Sequence, residues 1–156
     1  MAVSVIDSTL FRDMFGTAEM RHVFDESQTL QRYLDVEAAL AKVQAQLGVI
    51  PAEAAREIVA KARVELLDQA AIAAETKIVG YPILALVRGL AAACKDNLGQ
   101  WSHYGATTQD IMDTGVVLQV RDGLDLIDRD LSILTQTLKQ LAEDHRHSVM
   151  AGRTHL

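Results

Sequence analysis

The chain predicts an all-α protein, and three observations carry that prediction. Its 156 residues include only 2 prolines and 9 glycines, and alanine and leucine dominate. No Asn-Gly or Asp-Gly pair stands between alternating apolar runs, where a tight hairpin would place one; Asp122-Gly123 lies inside a helical pattern. Apolar residues recur at spacings of three and four over long stretches, the period of an amphipathic helix.

The elements follow in order. A short first helix is expected from about Thr17 to Phe24, and Ser27 is placed to cap a second. The second carries the row Tyr33, Val36, Leu40, Val43 and Leu47, and Gly48 is a fitting stop. Pro51 sits at a first turn, where a helix tolerates proline best, and that helix runs from Ala52 to about Ala62. A less regular stretch leads into a short helix near Asp68 to Glu75. Gly80-Tyr81-Pro82 breaks the chain, and the next helix sets Ile83, Val87, Leu90 and Cys94 on one stripe.

The last helix is the most informative. Val117, Val120, Leu124, Ile127, Leu131, Leu134, Leu138 and Leu141 alternate spacings of three and four over 25 residues. At 1.5 Å per residue the row is about 37 Å long. A sustained 3.5-residue repeat asks for partner helices along its length, and Leu118, Leu126 and Ile133 widen the face beyond a two-stranded seam. No later stretch supplies an equally long antiparallel partner. The expectation is therefore a truncated chain, or one that completes its core by association. Two blocks are expected: a helical domain over 1–107, and over 108–156 the start of a helix-bundle domain.

Composition excludes several functions. Net charge is −6 and the isoelectric point is near 5.3, so the chain lacks the charge for general binding to nucleic acid or anionic membrane. The single Cys94 rules out an internal disulfide framework and offers no thiolate cluster for zinc. Asp7 follows Met1 to Ile6 too soon for a signal-peptide core. The longest apolar run, Tyr81 to Val87, is far short of the roughly 20 residues that span a bilayer. A soluble, cytoplasmic protein is the expectation. Glycine-rich phosphate loops, a nucleophile elbow and metal-binding signatures are absent.

Chemistry gathers in two places. The segment from Trp101 to Asp110 collects hydroxyls, an imidazole and a glycine just before the long helix. Thr107 and Asp110 have the spacing of a capping box, with aspartate replacing the usual glutamate or glutamine. The plain reading is a helix cap. The functional reading uses the same physics: free N–H groups and the positive helix end form a site for a small carboxylate. Thr107 and Thr108 would add hydroxyl donors, and His103 proton transfer or a further hydrogen bond. The second place is Gly152-Arg153-Thr154-His155, which offers a cation, a hydroxyl and an imidazole within four residues. Elsewhere Tyr33 belongs to a core row, while Arg32 faces away from it and can reach an anion. His22, His145 and His147 read as solvated, and Cys94 as packing.

These residues resemble a known superfamily. The string His103-Tyr104-Gly105-Ala106-Thr107-Thr108-Gln109-Asp110-Ile111-Met112-Asp113-Thr114 resembles the first signature region of the fumarase/aspartase superfamily. Gly152-Arg153-Thr154-His155 resembles the start of its second, and Arg32 to Leu40 resembles its early helix as found in the adenylosuccinate lyase branch and its relatives. Within the superfamily the chain is most similar to the 3-carboxy-cis,cis-muconate cycloisomerase branch. Adenylosuccinate lyases usually carry a catalytic histidine where this chain has Val79-Gly80-Tyr81-Pro82, and Thr108-Gln109-Asp110 suits the cycloisomerase branch better than their Ser-Ser-Asp.

The resemblance implies a homotetramer built on a central bundle of long helices. It implies lactonisation of a carboxylated muconate in protocatechuate breakdown, with no metal or organic cofactor. Thr107, Thr108 and Thr154 would bind substrate carboxylates, His155 would be the acid/base candidate or its partner, and His103 would line the pocket. Arg32 and Tyr33 match positions that hold phosphate in the adenylosuccinate branch. The superfamily's third region, a mobile serine loop, is absent from this sequence. The expectation is therefore an N-terminal portion of the enzyme, inactive by itself. Two alternatives stand beside it: a portion of an adenylosuccinate or related fumarate-releasing lyase, and a helical assembly module without chemistry.

Overall fold

The computed structural model describes residues 4–153 and 155. Among them there is no strand. The helices are α1 (Arg12–Phe15), α2 (Ala18–Val23), α3 (Glu26–Gln46), α4 (Ala52–Lys61), α5 (Gln69–Val79), α6 (Ile83–Ala93) and α7 (Thr108–Asp144). Short 3-10 turns lie at Val64–Leu66 and Leu98–Trp101. None of the described helices is long and apolar enough to cross a membrane.

Local chemistry sets most of the boundaries. The Thr17 hydroxyl accepts from the Met20 N–H at 3.1 Å and starts α2. At α3 the expected cap is displaced: Asp25, not Ser27, accepts the Gln28 N–H at 2.7 Å. Ser27 lies one residue inside the helix and donates its hydroxyl to the same carboxylate at 2.9 Å. Aspartate wins because its oxygen reaches the third helical amide from outside the helix, the geometry that a cap requires. Asp68 caps α5 through Ala71 at 3.0 Å. Gly80, at φ +91°, closes α5 in the left-handed conformation that glycine adopts without strain.

The core is built around α3. Leu34, Ile58, Ile83, Leu86, Leu90 and Ile111 are almost wholly removed from water. The buried arc of α3 is Tyr33, Leu34, Glu37 and Ala41, whereas Val43 and Leu47, expected on the inner row, are exposed. The reason is that α4 and α7 both pack on α3 and bury the arc between them. That arc contains a carboxylate.

Helix α7 has two faces with different fates. Its first half buries Ile111, Gly115, Gln119 and Gly123, a row of constant four-residue spacing, against α3 and α2. Gly115 lets the two backbones close: a Cβ there would lie 2.6 Å from Tyr33 Cδ1 and 2.7 Å from Cε1. Gln119 Nε2 donates to the Val23 carbonyl at 2.8 Å and to Thr29 Oγ1 at 2.9 Å, tying α7 to the α2–α3 junction. The leucine-rich row from Val117 to Leu141 faces out, and every α7 residue from Leu131 onward is exposed.

Candidate active site

The loop from Ser102 to Thr107 leads into α7, and α3 holds it at two points. His103 is a non-glycine residue at φ +59°, a conformation that persists only where neighbours impose it. Glu37 imposes it. One carboxylate oxygen accepts the His103 backbone N–H at 2.9 Å, and the other pairs with the ring Nδ1 at 2.5 Å. Seven residues along α3, on the same face, Gln44 Nε2 donates to the Tyr104 carbonyl at 2.6 Å. The Tyr104 ring rests against Trp101, with centroids 5.4 Å apart.

The Glu37 side chain is fully buried and the His103 side chain 21% exposed. Burial pushes the Glu37 carboxyl above its ordinary range, and His103 partly offsets that through its ring, its charge and its N–H. Glu37 was missed in the sequence because it reads as one acid on an ordinary helix. A glutamate centred between Leu34 and Ala41 was the available signal.

Thr107 is the N-cap of α7 and forms a capping box with Asp110, whose Oδ2 accepts the Thr107 N–H at 2.9 Å. Thr107 is exposed and Thr108 half-buried. The first N–H groups of a helix have no partner within it, so this end presents donors and positive potential to a bound anion.

His103, Thr107 and Thr108 therefore all lie in the short stretch that leads into and opens α7. The other predicted residues are not. Tyr33 is buried against Gly115, seven residues or about 10 Å along α7 from Thr108. Arg32 is held between Asp35 at 2.6 Å and Asp122 at 2.7 Å, about 21 Å along the helix. The anion it reaches is internal. Burial lowers its pKa, but the two aspartates more than offset that and raise it. Thr154 lies outside the described residues. His155 is exposed beyond the far end of α7. The 37 residues of α7 span about 55 Å. The stretch from His145 to His155 reaches at most about 40 Å when fully extended. Even fully extended, that stretch falls short of the α7 start, and the structure does not bring His155 to His103 within one chain.

The family profile described as Lyase matches residues 15–156. Trans-aconitate decarboxylase 1 of Mycosarcoma maydis is 47% identical over 144 residues, covering 92% of this chain and 29% of that protein. A solved fumarate lyase from Mesorhizobium sp. BNC1 superposes with a TM-score of 0.84 at 47% identity, over 91% of this chain and 33% of that one. A 3-carboxy-cis,cis-muconate lactonizing enzyme from Pseudomonas putida superposes with a TM-score of 0.86 at 39% identity, over 94% of this chain and 34% of that one. The chain thus spans about a third of the length of these relatives.

Proposed function

The chain belongs to the lyase family of the fumarase/aspartase superfamily, and on that premise we propose that its α7 start binds a carboxylate of a small unsaturated polycarboxylate, 3-carboxymuconate, for intramolecular lactonisation. The observation that carries this reading is the α7 N-terminus itself, which Thr107 caps and Thr108 opens, with the loop that holds His103 leading into it. The relatives support it by their names: aconitate and carboxymuconate are both unsaturated tricarboxylates.

The chemistry fits such a cradle. Lactonisation adds a substrate carboxylate oxygen across a carbon–carbon double bond and places a proton on the carbon next to another carboxylate. Charge builds on that second carboxylate as the bond forms. Fixed N–H dipoles and threonine hydroxyls stabilise it without having to reorganise. His155, carried by a second copy of the chain, is the acid/base candidate, and the outward leucine row of α7 is the surface on which copies assemble into a tetramer.

The test is binding of tricarballylate, a saturated tricarboxylate, followed by calorimetry. The double change Thr107→Ala with Thr108→Ala should weaken binding at least tenfold and cost the helix a cap, about 1 kcal/mol. Unchanged affinity would overturn the site. Tighter binding of adenylosuccinate than of the tricarboxylate would favour the fumarate-releasing alternative.

A further inference from the structure

The contact between Glu37 and His103 does more than hold a loop. We propose that Glu37 is a positioning residue that fixes His103 in the Nδ1–H tautomer and leaves Nε2 as its proton-carrying nitrogen. The proposal rests on the reading that this helix start receives substrate.

Three observations carry it. The carboxylate is fully buried, and both its oxygens are engaged with the same residue, 66 positions away in sequence. The backbone N–H contact alone would suffice to hold the left-handed turn, and a glutamine could accept it equally well. The contact to the ring has a separate consequence: an ionised carboxylate at Nδ1 requires the proton there, which frees the Nε2 lone pair. Among the described residues Nε2 has no hydrogen-bond partner, and the ring keeps partial exposure. Those residues offer Glu37 no other charged partner.

The consequence is chemical. Nε2 can take up one proton and return it, and while the ring is an imidazolium the buried carboxylate balances its charge. This is the orienting logic of a carboxylate behind a catalytic imidazole. The opposite arrangement is also physical, because burial favours a neutral acid. A proton resting on Glu37 would donate to Nδ1 and leave His103 as Nε2–H.

Long-range proton–nitrogen correlation spectra of the ¹⁵N-histidine-labelled chain at pH 8.5 separate the two. The expected result is a His103 Nδ1 of the protonated type and an Nε2 of the unprotonated type, with the exposed His147 and His155 as references. Glu37→Gln should move His103 toward the Nε2–H form. A wild-type His103 in the Nε2–H form, or averaged like the references, overturns the proposal. That spectrum decides the matter even if the Glu37→Gln chain fails to fold. Tricarballylate affinity left unchanged by the Thr107→Ala, Thr108→Ala double change, with the tautomer as expected, would overturn the substrate reading and leave the tautomer lock standing.

Discussion

Replacing Gly115 by alanine sets two effects of opposite sign against each other. Alanine in a helix interior is favoured over glycine by about 1 kcal/mol, so propensity alone predicts a more stable chain. The structure predicts the reverse. The new Cβ would stand 2.6 and 2.7 Å from two ring carbons of Tyr33. Ordinary carbon–carbon contact is about 3.5–4.0 Å, so the overlap approaches 1 Å at both atoms. Tyr33 is only 5% exposed and cannot swing aside, so α3 and α7 must separate. Such overpacking costs about 1–3 kcal/mol, and overlap at two atoms places it near the upper end. The expected net loss is about 2 kcal/mol, or a fall in Tm of roughly 4–8 °C for a chain of this size. Urea unfolding followed by circular dichroism and by the fluorescence of Trp101 measures it. In a Tyr33→Ala background the Cβ has room, and the same change should stabilise by up to about 1 kcal/mol. That gives a coupling of about 3 kcal/mol. A stabilising Gly115→Ala in the wild-type chain, or equal effects in both backgrounds, would refute the reasoning.

Three further outcomes are expected. Leu131→Asp, on the exposed α7 row, should lower the mass seen by light scattering without loss of helix content; a wild-type chain that is already monomeric would remove the basis for that assembly face. Gln119→Leu should cost about 1–3 kcal/mol, because the half-buried Val23 carbonyl and Thr29 hydroxyl lose their donor; a neutral effect in denaturant titration would contradict this. At Asp25, burial raises the carboxyl pKa, but the Gln28 N–H, Ser27 hydroxyl and His22 together bring it below the usual range. A lowered folded-state pKa means that the cap stabilises fully above the unfolded value near pH ~4 and fades as pH falls through the folded value. Asp25→Ala should therefore cost about 1 kcal/mol at pH 7 and progressively less below about pH 4. A gap that stays constant down to pH 2 would count against it.

Punctuation was legible in the sequence because it is local chemistry. Gly48, Pro51, Gly80-Tyr81-Pro82 and the Thr107–Asp110 box mark helix ends through interactions within a few residues, and the structure places ends there. The helix start at Thr107, with His103 just before it, was legible for the same reason. Three-dimensional contacts decided which faces turn inward. The leucine row of α7 has the stronger apolar pattern, yet within this chain α7 packs through Ile111, Gly115, Gln119 and Gly123, where two glycines and an amide give almost no apolar signal. An apolar period says that a face wants burial, not which partner provides it. A close-approach face is set by what stands opposite, here the Tyr33 ring. The pairing of Glu37 with His103 and of Arg32 with Asp122 belongs to the same class. Each joins polar groups far apart in sequence, and only the crossing of α3 with α7 and with the loop before it brings them within bonding distance.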